Sequence, residues 1–448
     1  MKILIVGAGA VGFNLAKQLS NEGHDISVVD NDASLVRKIN GKLDAFVVVG
    51  GGSSPSVLES CGIQETDMVL AVTTSDEVNI VVCMLANQYG VKKKIARIRN
   101  YEFTSKNFFL EENDSCIDHM INPDLITVDS ILKIIETPGS TYVADFKDIN
   151  VVLRGFNIKS DAPIVGKRLA ELKEIESTDS FLIVAIQRGG EMIIPGDETV
   201  IQTNDNIFVV VAEAGLPYFL PMVTKRSEKV AKVLIYGATN TGLLISKRLE
   251  NSSIEVTLVE PKQELAEKAA SDLVKTVVLH GHATDIDLLK EASIETMDFF
   301  IAASNDDQSN LLAAMLAKKF GAKKTIVITD EPNYVTIFSS LGMDVVMNPR
   351  QIMVSAILQY ARRGHVPAVV KINESDAEAI QFIVEEGAKI DGKQLNKVKF
   401  PQGSILGAII QDGVMVVPTG KSVINSGDRV IVFALPTAIE KVQSLFCK

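Results

Sequence analysis

Lys2-Ile3-Leu4-Ile5-Val6-Gly7-Ala8-Gly9-Ala10-Val11-Gly12 is an apolar run closed by a complete GxGxxG, and its reading decides the fold. A short β-type run, three spaced glycines and a helical pattern form the turn by which a strand passes into a helix beside a pyrophosphate. Gly7 permits the tight turn, Gly9 lets the backbone approach phosphate, and Gly12 allows helix and sheet to pack closely. The amides of this turn, with Ala8, Ala10 and Val11 between the glycines, and the positive end of the helix dipole are what an anion needs. Asp30 ends the next apolar run eighteen residues beyond Gly12, where a carboxylate can accept from both ribose hydroxyls. It would repel a 2′-phosphate, and Asn31 rather than an arginine follows, so NAD(H) is expected over NADP(H). The alternative is a turn that has lost its ligand.

The stretch recurs. Lys232-Val233-Leu234-Ile235-Tyr236-Gly237-Ala238-Thr239-Asn240-Thr241-Gly242 lies at a shift of 230, Asp30 falls on Glu260, Asp67 and Asn79 fall on Asp298 and Asn310, and Asn122-Pro123 falls on Asn348-Pro349. Such collinearity marks a duplicated unit. Within each copy, apolar runs such as Ile26 to Val29, Ala45 to Val49, Met68 to Val72 and Lys94 to Ile98 alternate with helical patterns. That predicts two doubly wound α/β domains with parallel sheets. After each Asn-Pro the texture changes to short β runs, and hairpins are predicted over Phe181 to Ile194 and Ile405 to Val417. Each Rossmann-type domain is thus followed by a small β-rich α+β domain, with expected bounds 1–140, 141–226, 227–366 and 367–448. Gly215 to Lys229, with two prolines and a charged run, reads as the linker between halves.

In the second copy Gly237, Ala238, Asn240, Thr241 and Gly242 keep the turn, but Thr239 replaces the middle glycine and Glu260 the aspartate. A β-branched side chain there crowds the pyrophosphate position. That half either binds nucleotide more weakly or in another pose, or is a structural copy. Gly51, within Gly50-Gly51-Gly52, and Gly281, between His280 and His282, lie at the carboxyl edge of the third strand, where ligands bind in such sheets. The two histidines have no third ligand nearby and are read as loop residues without a metal. Thr73 and Thr74, and Ser304 in the repeat, stand where the fourth strand passes into a helix, against the expected cofactor, with the residues that follow serving as helix caps. Arg97 and Arg99 alternate on one strand, unusual in a covered sheet, and at least one is expected at a phosphate or a subunit contact; a solvated edge strand is the alternative. Ile328 and Asp330 take their places in the second copy.

The 448 residues carry a net charge of −11, which argues against general nucleic-acid binding. No run of about 20 apolar residues is present, and the N-terminus enters a strand directly, so neither a membrane span nor an export leader is expected. The four cysteines show no CxxC spacing, which fits a reducing compartment and argues against zinc. The smaller units hold no histidine before His365 and no Ser/Tyr/Lys or Cys/His set, so no catalytic residue is assigned. A cofactor domain without a chemistry domain points to sensing. The segment Asp124 to Glu136 carries more apolar surface than one sheet face should cover, so part of it is expected in a subunit contact; an ordinary buried crossover helix is the alternative.

Taken together, the glycine turn, Asp30, Gly50 to Pro55, Thr73 to Asn79, Ile95 to Arg99 and Asn122-Pro123 make the chain similar, over essentially its whole length, to the regulatory subunits of the Trk potassium-uptake system. The resemblance implies tandem RCK (or KTN) domains, each with a small C-terminal module. It further implies NAD(H) binding, a response to ATP and ADP, and a dimer of dimers, peripheral on the cytoplasmic face, acting on a membrane-embedded potassium-translocating subunit. Thr239 and His282 are the departures. An NAD-dependent oxidoreductase with an unrecognised substrate domain, and the sensor of a different channel or transporter, are the competing readings.

Overall fold

The computed structural model describes residues 1–104, 116–137, 139–172, 181–224, 229–361, 368–372 and 377–447. The charged run Lys225 to Glu228, His365 and the expected boundary at 366 lie outside them. The chain divides into two units, Met1–Thr127 with Asn348–Ala361, and Val128–Met347 with Arg362–Lys448.

In the first unit β1 (Lys2–Val6), β2 (Asp25–Asp30), β3 (Phe46–Val49), β4 (Met68–Ala71), β5 (Lys93–Arg97) and β6 (His119–Ile121) form one sheet in the order β3-β2-β1-β4-β5-β6. All its pairings are parallel, and the order reverses between β1 and β4. Successive side chains of a strand point to opposite faces, so an unbroken apolar run needs cover on both. Ile3 and Ile5 pack with Leu15 and Leu19 of α1 (Ala10–Asn21), whereas Leu4 and Val6 pack with Val82 and Cys83 of α2 (Asp76–Gln88). The α1 face also receives Met353, Val354, Ile357 and Leu358 of the helix Pro349–Ala361, from the far end of the sequence.

The second unit repeats the sheet, with Lys232–Tyr236 and Phe299–Ala302 at its centre, and adds the two small modules. Here the helix Pro123–Glu136 finds its cover: Val128, Ile131, Ile134 and Ile135 lie in one core with Val233, Ile235, Leu258 and Ile301. For these four residues the buried crossover helix replaces the expected subunit contact, because their apolar surface is used within the chain. Each crossover helix therefore ends on the sheet of the other copy.

Each small module is a five-stranded antiparallel sheet, and both expected hairpins form, Phe181–Arg188 with Glu191–Ile193 and Ser404–Gln411 with Val414–Val416. One face of each sheet stacks on the other, Leu153, Val184 and Phe208 meeting Ala379, Ala408 and Phe433. Among the described residues no helix is long and apolar enough to cross a membrane.

Candidate functional site

The switch point lies at the carboxyl ends of β1 and β4. Gly7 has φ +112°, and a Cβ on it would lie 2.9 Å from the amide nitrogen of Thr73. A Cβ on Gly12 would lie 1.8 Å from the carbonyl oxygen of Gly7, so both glycines are required by the chain's own packing. Gly9 differs, since a Cβ there meets nothing within 4 Å. Gly9 is also the N-cap of α1, makes no side-chain cap, and no acidic residue follows in the first turn. The helix thus presents uncapped amides and the positive end of its dipole to open space, as an anion site requires.

Asp30 stands beside this turn. One carboxylate oxygen accepts from the amide of Ala8 at 2.6 Å and the other from the amide of Asp32 at 2.8 Å. A carboxylate offers about four lone-pair positions, so acceptor capacity remains for hydroxyl donors. In the neighbouring loop a Cβ on Gly50 or Gly52 would strike Val57 or Val6, at 2.8 and 2.2 Å, while Gly51 faces open space. Across the switch point Ser75 caps α2 by accepting from the amide of Val78, which leaves Thr73 and the exposed Thr74 to line the loop.

Arg97 and Arg99 part company. β5 runs between β4 and β6, so the solvated-edge reading fails. Arg97 donates from Nη1 to the carbonyl of Thr73 at 3.3 Å, and its buried Nε has no hydrogen-bond partner. Burial, and then the nearby charge of Arg99, lower its pKa from the usual arginine value, against the opposing pull of Asp76 and Asp124. Arg99 instead grips Asp124 through Nε and Nη2 at 3.2 to 3.3 Å, tying the strand end to the start of the crossover helix.

In the second copy Gly237 and Gly242 make the same turn, with φ +106° at Gly237, and Glu260 reproduces both bonds of Asp30, accepting from the amides of Ala238 at 2.6 Å and Lys262 at 2.9 Å. The extra methylene goes inward, leaving Glu260 only 4% exposed. Thr239 changes the chemistry more than the bulk argument anticipates. Its hydroxyl oxygen accepts from the amide of Gly242 at 3.2 Å and donates to the carbonyl of Ala303 at 2.8 Å, so the chain caps its own helix. Asn240 and the buried Thr241 lie in that first helical turn, and Ser304 faces it across the switch point. A Cβ on Gly281 would meet Leu288 at 2.7 Å, so this glycine serves loop packing. His280 lies 3.2 Å from the carbonyl of Pro261, and no group of three metal-type side chains is set to hold an ion among the described residues.

The TrkA-N domain model matches residues 3–123 and 233–349, and the TrkA-C domain model matches 153–222 and 379–446. The chain is 34% identical over 451 residues to the Trk system potassium uptake protein TrkA of Halomonas elongata, covering 100% of this chain and 98% of that one. It is 32% identical over 454 residues to the TrkA homolog 2 of Methanosarcina mazei, each covered in full. The chain belongs to the TrkA family. Among solved structures it is similar to the GsuK RCK domain, with TM-score 0.63 at 16% identity over 99% of this chain and 94% of that one. The GsuK channel bound to NAD gives TM-score 0.62 at 15% identity over 99% of this chain and 78% of that one, and these likenesses establish the fold.

One residue near this switch point was read in the sequence as a marker of the repeat and as the end of the Thr73 to Asn79 stretch, without a role of its own. Asn79 is 0% exposed, and its side chain joins Thr73 to Arg97; Asn310 makes the corresponding bonds to Ser304 and Ile328. Its recurrence next to a switch-point hydroxyl residue in both copies was the available signal.

Proposed function

We propose that this chain is the nucleotide-sensing regulatory subunit of a potassium-uptake system, with no chemistry of its own. Its first half takes NAD(H), with ATP and ADP as alternative ligands, through Gly7 to Gly12, Asp30, Gly51, Thr73, Thr74 and Arg97. The observation that carries this reading is the open space over Gly9, at an uncapped helix N-terminus beside a carboxylate held by two amides, with the Thr73 loop that receives Arg97 packed against the same glycine turn. A dinucleotide offers a diphosphate for the amides and the cation, and ribose hydroxyls for the carboxylate. Relatives named Trk system potassium uptake proteins over the full length support the transport role.

The partner is then a membrane-embedded potassium-translocating subunit, met on the cytoplasmic face, and the working form is a homo-oligomer, a dimer of dimers. Supporting the oligomer, α2 exposes Val81 and Met84, and the helix Asp307–Lys319 exposes Leu312 and Met315 at the same repeat positions. Two Rossmann-type domains, each with a small module, at 1–140, 141–226, 227–366 and 367–448, make up each chain. Calorimetric titration of the full chain with NADH tests the binding, and potassium flux through the membrane subunit, with and without this chain and nucleotide, tests the role. A folded chain that binds nothing at millimolar NADH, or leaves flux unchanged, defeats the reading.

A further inference from the structure

We propose that Asn79 is a positioning residue that sets Arg97 and the Thr73 loop for the phosphate-bearing side of the nucleotide, a part that its repeat counterpart Asn310 does not play. The proposal rests on nucleotide binding by the first half.

The side chain of Asn79 makes every hydrogen bond open to it. Oδ1 accepts from the amide of Thr73 at 2.9 Å and from the Thr73 hydroxyl at 2.7 Å; Nδ2 donates to the carbonyl of Thr73 at 3.2 Å and to the carbonyl of Arg97 at 2.8 Å. A carboxamide has two donors and two acceptor positions, so none remains for a ligand and Asn79 can act only through its partners. One of those partners borders the glycine turn directly and the other is held against it. The Thr73 amide nitrogen is the atom that a Cβ on Gly7 would strike, so this loop abuts the glycine turn. The Thr73 carbonyl also receives Nη1 of Arg97, so one carboxamide sets both the backbone that carries the arginine and the acceptor that orients its guanidinium. The Nε left over is buried and without a partner.

The duplication supplies an internal control. Asn310 accepts from the amide and hydroxyl of Ser304 at 3.0 and 2.6 Å and donates to the carbonyls of Ser304 and Ile328 at 2.9 and 3.0 Å, and it too is 0% exposed. The clasp is the same, yet the strand residue it holds is an isoleucine. Structural demand on the two asparagines is therefore equal, and only one of them governs a cation.

The test compares Asn79→Asp with Asn310→Asp in the full chain. A carboxylate keeps the acceptor but replaces the nitrogen that carries both donor hydrogens by one oxygen facing two carbonyls, so both variants should lower the melting temperature alike. NADH affinity should fall about tenfold or more in Asn79→Asp and stay within about twofold in Asn310→Asp, while adenosine binding read by saturation-transfer NMR changes little in either. In an Arg97→Ala background the added Asn79→Asp should cost clearly less NADH affinity than it does alone, since part of its effect runs through Arg97. Equal NADH affinity in wild type and Asn79→Asp, parallel loss of NADH and adenosine, or additive losses with Arg97→Ala would each overturn the positioning role. Should Asn79→Asp fail to fold, Asn79→Ser, which keeps one hydroxyl donor, carries the same comparison. A wild-type chain that binds neither ligand sinks the nucleotide reading itself, and the positioning role with it.

Discussion

A Cβ on Gly12 would lie 1.8 Å from the Gly7 carbonyl oxygen, whereas one on Gly9 meets nothing of the chain within 4 Å. The two glycines of one turn therefore answer to different demands, and single substitutions should separate them. Gly12→Ala forces α1 off the turn and should destabilise by roughly 1–3 kcal/mol. Gly9 has φ −61° and ψ −173°, which alanine adopts without strain, so Gly9→Ala should keep stability within about 0.5 kcal/mol and lose NADH affinity. Thermal unfolding and titration of both variants decide this; equal loss of stability would mean that Gly9 is a packing residue. Asp30→Ala removes a charged acceptor from the ribose side and should cost about 1.5–3 kcal/mol of binding, roughly tenfold to a hundredfold in affinity. Unchanged affinity in that variant would move the ribose elsewhere. The turn made by Gly7 and Gly12 and the place of Asp30 beside it were legible in the sequence because spacing fixes both. Arg97 and Arg99 were legible only as a pair: strand alternation gives a common side, but the choice of a carboxylate by one and of a carbonyl by the other follows from where Asp124 and Thr73 come to lie.

At the scale of elements, the helix Asn240–Leu249 shows one side chain occupying a helix N-terminus that its counterpart in the first copy leaves uncapped. The Thr239 hydroxyl takes the Gly242 amide and holds the Ala303 carbonyl, so a phosphate there would have to displace a bond the chain already makes. Thr239→Gly exchanges caps at a cost of a few tenths of a kcal/mol plus about 1 kcal/mol for the lost Ala303 bond. It should raise NADH stoichiometry from about one to about two per chain; a stoichiometry that stays put would show that the cap is not the barrier. The crossover helix Pro123–Glu136 carries a second device, because its Lys133 and the buried Arg154 both pair with Asp145, at 2.7 and 2.8 Å. Burial works against the ionised Asp145, but the two cations outweigh it and hold its carboxyl below the usual range. A depressed carboxyl contributes stability that is present above the unfolded value of about 3.9 and lost as pH falls through the folded value. Asp145→Asn should therefore destabilise the chain at neutral pH, by about 3 kcal/mol, and flatten its acid unfolding below pH 4. An acid limb identical to wild type would refute the assignment. The periodicity of this helix announced a large apolar surface but could not name its cover, since a sheet from the other copy and a second subunit bury isoleucine equally well. Hairpins and parallel strands were legible because their signals are local, whereas the exchange of crossover helices depends on residues more than a hundred positions apart.

For the whole molecule, the duplication does not double the sensors if the second turn is closed by its own cap, and that sharpens what the assembly must do. A ligand shifts an equilibrium only by its differential affinity for the two states, and tenfold discrimination at one site is worth about 1.4 kcal/mol. Moving a gate from 1:99 to 99:1 takes about 5.5 kcal/mol, which roughly four coupled sites of that strength supply. With one competent site per chain, the requirement is met by four chains and not by one or two, which gives the proposed dimer of dimers an energetic reason. The exposed Val81 and Met84, repeated as Leu312 and Met315, offer apolar surface through which such copies can meet. Light scattering should then report a tetramer, and replacing Met84 and Met315 together by lysine should reduce it to a smaller species that still binds NADH. Potassium flux through the membrane subunit should respond to nucleotide with a Hill coefficient well above 1 in the tetramer and lose that steepness in the double variant. A steep response from a monomer, or a graded one from an intact tetramer, would show that the switch does not draw its energy from coupled sites.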